Sequence, residues 1–424
     1  MNRKFNFKIM KWANDLFPIC RSLTGEGNRK TLRYIKKINR NFKIKSFKSG
    51  EKFYDWKIPL EWKIKNAYIK DKLGLKIVDF KKNNLYVLNY STPIKKKLNF
   101  LKLKKNIFTL KKSPSLIPYA TSYYKKRWGF CMEYKKFKNF RNNQKFDVLI
   151  DSKHFKGKMD YAELVIKGKS KKTILICSYI CHPSLANNEL SGPLVLTALS
   201  KILKPSKYTI KLLLIPETIG AIAYIKKNLN FLRQNLVAGI NISCVGDKGK
   251  FSLISSLNES TYADKISLRI LKKRNFKKYS FLDRGSNERQ FGCQNLNLPF
   301  VTICRSRFGE YKQYHTSADN LKILSEKNLR ESTILIKDII YEIQKNRIFL
   351  KNTICEPFLT KYNLVNLIGG PKKDRYFQEI QNIIAYVGKD FDIKELSIKL
   401  KMNFKKTLEI IMHLKKKRIL KEFL

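Results

Sequence analysis

The 424-residue sequence predicts an α/β fold in which a mixed sheet with a strong parallel component is covered by helices. Three observations predict it. Between residues 173 and 350, apolar strand-like runs alternate with segments of helical periodicity; the ends of those runs carry polar residues that apolar packing does not require; and short alternating runs from about 46 to 164 interrupt the pattern. The chain is organised around residues 174–192, ILICSYICHPSLANNELSG. Its apolar run Ile174–Ile180 has the length and branched composition of a buried strand, and it stops at Cys181-His182-Pro183 because proline cannot extend the ladder. His182 therefore sits at the carboxyl end of a strand, where open α/β sheets place their chemistry.

Composition narrows the classes. Basic residues outnumber acidic ones by 89 to 33, a formal charge of +56, which would ordinarily point to nucleic acid or an anionic surface. The lysines are spread over nearly every segment, however, so a chain-wide bias is the simpler account and nucleic acid is not the favoured partner. Attraction to polyanions still follows from the charge. The length suggests two or three domains, and a hydrophobic fraction of 43% is ample for their cores. Eight cysteines without a CxxC pair read as reduced core residues, and no apolar stretch approaches a membrane span, so a cytoplasmic protein is expected. A homo-oligomer is compatible with the sequence.

Taken in order, Phe7–Phe17 and the stretch from Thr31 read as helices. The turn between them holds Arg21, Ser22, Thr24 and Glu26, a set that helix capping explains. The β-rich segment follows. Within it, Tyr119, Tyr123, Tyr124 and Trp128 stand beside cationic residues, either as a packed cluster or as a ligand-facing wall. Strand and helix then alternate as Thr173–Ile180, Pro193–Leu203; Tyr208–Ile215, Thr218–Asn228; Leu236–Val245, Tyr262–Lys273; Leu298–Cys304, Glu326–Asn346. After Cys355, a linker with Gly369-Gly370-Pro371 leads to helical periods at Asp374–Val387, Ile393–Leu400 and Phe404–Lys416 and a closing strand from Arg418. A winged helix is the small fold that suits this pattern.

Four strand ends carry the chemistry: His182, then Glu217 in PETIG, Asp247 in CVGD, and His315 in YHTSADN. Two imidazoles and a carboxylate suit a zinc ion, and a further carboxylate suits a base that deprotonates a metal-bound water. Taken singly, His182 reads equally as a strand cap, Asp247 as a turn residue and Glu217 as a charge favoured at a helix N-terminus. Taken together, two of only four histidines fall in these loops.

The motifs CHPSLANNELSG, PETIGAIAYI, CVGD, DRGSNERQF and EYKQYHTSADN resemble the bacterial aminopeptidase-like family related to zinc aminopeptidases and associated with polysaccharide biosynthesis. So do FPICRSLTGEGNRKTL, YDWKIPLEW, NYSTP and PYATSYYKKRWGFC, and the resemblance spans nearly the whole chain. It implies a zinc-aminopeptidase-like mixed sheet (residues 1–45 and 165–350), an inserted β-rich domain (46–164) and a C-terminal winged helix (356–424). It also makes His182 and Asp247 ligands of one zinc and Glu217 the general base. In two-metal relatives an aspartate at the position of Asn188 bridges the ions and a second glutamate stands at Thr218, so one zinc, or a weakened site, is expected here. His315 would complete the metal or substrate site, with Glu288, Arg289, Tyr314 and Tyr124 as substrate-binding groups. The implied function is metal-dependent hydrolysis of an amide or peptide bond in a small peptide or an amide-bearing glycan precursor. The alternatives are a catalytically decayed scaffold on the same fold, or a winged-helix regulator that binds nucleic acid.

Overall fold

A computed structural model describes residues 8–365 and 374–423. The expected linker at Gly369–Pro371 and the start of the first helix at Phe7 lie outside them. The chain divides into two compact units, residues 1–340 and 341–424.

The first unit is built on one eight-stranded mixed sheet. Its strands are β1 (Lys43–Lys48), β2 (Lys158–Ile166), β3 (Ser170–Tyr179), β4 (Tyr208–Ile215), β5 (Leu236–Ile242), β6 (Phe251–Ile254), β7 (Phe276–Tyr279) and β8 (Phe300–Cys304). Their spatial order is β1-β2-β4-β3-β5-β8-β6-β7. The pairs β4–β3, β3–β5 and β5–β8 are parallel, whereas β1–β2, β2–β4 and β8–β6 are antiparallel. From Thr173 to Tyr179 the central strand β3 is buried on both faces, which is why it reads as an unbroken apolar run instead of an alternating one.

Helices α1 (Ile9–Leu16), α2 (Glu26–Ile38), α3 (Ser191–Ile202), α4 (Ile219–Asn235), α5 (Tyr262–Leu271) and α6 (Glu326–Lys345) accompany this sheet. α3 approaches it closely at Gly192, where a Cβ would lie 2.2 Å from Ser178 Oγ and 2.5 Å from the Ile242 carbonyl oxygen. α4 runs past its expected end, with non-helical angles at Asn228 marking a kink. β6 and β7 were not expected from the sequence: each has four residues, too few to show a period, and β7 is half lysine.

Residues 61–155 carry a separate four-stranded antiparallel sheet, in the order Lys76–Asp79, Glu61–Lys70, Lys145–Phe155, Ile94–Asn99. It has its own apolar cluster, including Ala67, Ile69, Phe130, Phe146 and Val148.

The polar turn before α2 departs from the capping expectation. Gly25 is the N-cap, at φ 109°, and no side chain caps the helix. Ser22 instead donates to Asn89 Oδ1 at 2.6 Å, Thr24 bridges Leu60 and Trp62, and Arg21 is fully buried. These residues tie the turn to distant segments.

In the second unit, α7 (Arg375–Tyr386), α8 (Ile393–Lys399) and α9 (Phe404–Lys416) enclose a core containing Ile380, Ile383, Leu396, Ile411 and Leu414. The strand Phe349–Lys351 pairs antiparallel with Leu420–Glu422. All eight cysteines are free, and among the described residues no helix is long and apolar enough to cross a membrane.

Candidate active site

β3 delivers Cys181-His182-Pro183 at its carboxyl end, and Ala186–Leu190 then forms one π-helical turn that runs directly into α3. Such turns are rare and concentrate at functional sites. This one is fixed from far along the chain: the Asp319 carboxylate accepts the amides of Asn187 (2.6 Å) and Asn188 (3.0 Å) and the Tyr311 hydroxyl (3.0 Å). The Asp319 carbonyl accepts the Ala186 amide at 2.9 Å. Burial nonetheless raises the Asp319 pKa to about 6.

His182 is almost wholly buried. Its Nδ1 lies 3.0 Å from Glu189 Oε2 and 3.3 Å from Cys181 Sγ. A carboxylate only accepts, so Nδ1–H is the donor and Nε2 is left for another partner. Burial opposes a charge on this ring, yet Cys181 and Glu189 beside it lift its pKa well above the usual value. Glu189 Oε1 is 3.3 Å from Arg21 Nε, and both side chains are fully buried. Arg21 also donates to the carbonyls of His182 (3.0 Å) and Leu16 (2.7 Å). Among the described residues, Cys181, His182 and Glu189 are the one group of three such side chains whose ligand atoms lie within 4.8 Å of one another. From the sequence Arg21 had only a place in the capping turn and Glu189 no role; the available signal was an acid in a turn flanked by apolar residues, which must find a partner if buried.

His315 comes from the loop after β8 and holds a left-handed backbone, φ 53°. Its ring lies 5.5 Å from that of His182, stacks on Tyr314 at 3.9 Å and meets the Tyr119 ring edge-on at 5.0 Å. The Tyr119 amide donates to the His315 carbonyl at 2.8 Å, so the aromatic segment and this loop are joined. Burial, and then the nearby His182, push the His315 pKa down to about 3. Its Nε2 is buried without a hydrogen-bond partner, and so is Asn188 Oδ1. Asn188 Nδ2 donates to the Tyr179 hydroxyl at 2.8 Å, which in turn donates to the Asn188 carbonyl at 2.7 Å and shares a 2.8 Å bond with Ser243 Oγ.

Glu217 follows β4, with its amide 3.5 Å from Cys181 Sγ. Burial raises its carboxyl pKa, against the opposing effects of His182, Ser286 and Arg289. Thr218 beside it is left-handed (φ 62°); its amide donates to Asn287 Oδ1 at 3.0 Å, and its hydroxyl accepts from Arg289 at 2.6 Å.

Two candidates lie elsewhere than expected. The Asp247 carboxylate is bonded by the Ser306 hydroxyl and backbone N–H and is outside the Cys181, His182, Glu189 group. Of the preceding residues of that strand end, Cys244 approaches the Asn188 side chain and Ser243 bonds the Tyr179 hydroxyl. Glu288 is fully buried, with both oxygens occupied by the Gly285 and Ser286 amides, Thr302 and Asn241, so it braces the loop instead of facing a ligand. Arg289 and Tyr124 are exposed, and Tyr314 is half-buried against His315.

His182, His315 and Glu217 follow parallel strands of the mixed sheet, and the fold is that of an aminopeptidase-like protein. The chain belongs to the family described as a domain of unknown function, DUF4910, whose pattern matches residues 10–346. A relative from Clostridium acetobutylicum, provisionally named a polysaccharide biosynthesis protein with an aminopeptidase-like domain, is 39% identical over 368 residues, covering 86% of this chain and 84% of that one. A crystal structure from the same organism, provisionally described as a peptidase, superposes with a TM-score of 0.79 at 35% identity over 98% of this chain and 96% of the other. The zinc aminopeptidase BSAP of Bacillus subtilis shares the fold at a TM-score of 0.59 and 14% identity, covering 80% and 96% of the two chains.

Proposed function

We propose that the chain is a metal-dependent hydrolase of the aminopeptidase type, cleaving an amide or peptide bond. The observation that carries this reading is the pairing of the His182 and His315 rings at 5.5 Å, with His315 Nε2 and, on the turn that follows His182, Asn188 Oδ1 each buried without a hydrogen-bond partner. Two imidazole nitrogens and an amide oxygen are a donor set that fits one divalent cation such as zinc. The neutral Asn188 and Thr218 supply too little charge for a second. When bound, such an ion polarises the scissile carbonyl and acidifies water. Glu189 fixes the tautomer and direction of His182. Glu217 takes the proton of the attacking water and returns it to the leaving amine, and its raised pKa suits a group that must hold that proton briefly. Tyr119 and Tyr314 wall the site.

The relatives' names extend the reading to an amide-bearing precursor in polysaccharide biosynthesis and to zinc as the ion. The three helices and strand pair of the second unit fit a winged helix that serves assembly. A second reading, a binding protein without turnover, is favoured by the engagement of Asp247 with Ser306 and by the neutral Asn188 and Thr218. Elemental analysis with amide-hydrolysis assays separates the two. The hydrolase has stoichiometric metal that His182→Ala removes, and Glu217→Gln abolishes its turnover while metal is retained. Metal-free folded protein, or an unchanged rate in Glu217→Gln, would overturn the assignment.

A further inference from the structure

A cavity of about 820 Å³ opens beside the candidate site, between the hairpin around Lys57, the loop at Tyr90 and the end of the strand that carries His154. Its cationic lining comprises Lys57, Lys125, Lys126 and Lys156, and no carboxylate lines it. Among the described residues none of these four lysines is held in an ion pair. Four ammonium groups around one concavity repel each other unless an anion enters.

The aromatic walls give this cavity a direction. Tyr124 stands edge-on to Trp56 at 5.3 Å, and Tyr90 is held by a 2.6 Å bond from its hydroxyl to the Leu60 carbonyl. Tyr123 lines the cavity and turns its hydroxyl to the Cys181 carbonyl (3.3 Å) and to the Tyr119 hydroxyl (2.7 Å). The Tyr119 ring is 4.9 Å from that of His182. One tyrosine pair therefore separates the cationic cavity from the imidazole that begins the candidate site. Aromatic faces suit a ring, and clustered lysines suit a phosphate, which carries more charge per group than a carboxylate.

We propose that this cavity binds the phosphorylated end of the substrate, a sugar phosphate or similar ring-bearing phosphate ester, whose amide end reaches His182 and Glu217. The assignment of the amide end rests on the hydrolase reading; the phosphate site does not. The test is calorimetric titration of the full chain with glucose 1-phosphate, glucose, inorganic pyrophosphate and citrate, at two salt concentrations. Glucose 1-phosphate and pyrophosphate bind and glucose does not. The exposed pair Lys125→Met/Lys126→Met weakens phosphate binding at least tenfold, whereas the equally exposed pair Lys95→Met/Lys96→Met, outside the cavity, leaves it unchanged. Equal loss in both pairs would show only the diffuse attraction of a +56 chain and overturn the site. Absence of phosphate binding, or tighter binding of citrate than of pyrophosphate, would do the same. The two ideas are kept apart by the unaltered chain: if it never hydrolyses an amide yet binds phosphate, and Glu217→Gln binds phosphate as well, the hydrolase reading falls and the cavity stands.

Discussion

The buried Arg21–Glu189 pair should be one of the strongest local couplings in the first unit, and a double-mutant cycle measures it. Both side chains are fully excluded from solvent, at 3.3 Å. Glu189→Gln keeps the shape but leaves a buried guanidinium uncompensated, a change that costs about 3–5 kcal/mol. Arg21 retains two carbonyl acceptors, His182 and Leu16, so the lower end, about 3 kcal/mol, is expected. Arg21→Met leaves Glu189 with only His182 and should cost a similar amount. The double variant removes both charges, so it should fall short of the sum by about 2 kcal/mol. Tryptophan fluorescence during urea unfolding is the assay, because Trp12, Trp56, Trp62 and Trp128 all lie within residues 1–340 and report that unit alone. Costs that add to within about 0.5 kcal/mol would refute the reasoning and reduce the pair to two independent hydrogen-bonding groups.

Other substitutions probe the sheet and the site. Glu163 accepts from Lys45 and the Tyr224 hydroxyl, each at 2.7 Å; burial pushes its pKa up, but these bonds outweigh it and the net shift is downward. Its stabilisation is therefore present above the unfolded pKa and lost as pH falls through the lower folded one. With Lys45 half exposed, Glu163→Gln should cost only about 1 kcal/mol at pH 7, and that cost should vanish as pH falls through the lowered folded pKa, as read by the same fluorescence assay. Gly192→Ala, which sets a Cβ against Ser178 and Ile242, should destabilise by about 2–3 kcal/mol, and an unchanged urea midpoint would show that α3 can move away. Asn188→Asp should raise bound zinc in elemental analysis by returning an acid to the orphaned Oδ1 position, and unaltered metal content would place that atom outside the ion site.

Periodicity located the long elements well: β4 is observed at the residues expected, and β3 and α3 within a few. What it could not supply was short or decided by distant partners. β6 exists because β8 offers it a ladder, and β7 because β6 does, not because four residues prefer a strand. The π-helical turn depends on Asp319, more than 130 residues away, and no local pattern encodes that bond. Asp247 looked like a strand-end acid of the same kind as Glu217; a serine from the next loop decides where its carboxylate goes. The aromatic segment offered a core cluster or a ligand wall, and the structure divides it: Trp128 packs into the inserted sheet's core, while Tyr119 and Tyr123 stand by His182.

The bonds from Asp319 to the turn before α3 have a consequence for how this molecule can be altered. The same short stretch of chain presents His315 on one side and grips Asn187 and Asn188 on the other, so its length acts as a gauge between two imidazoles. Adding a single residue between Arg305 and Asp319 would shift both ends together, and homologues or designs that vary this loop must re-thread the grip before they can retune what the histidines meet.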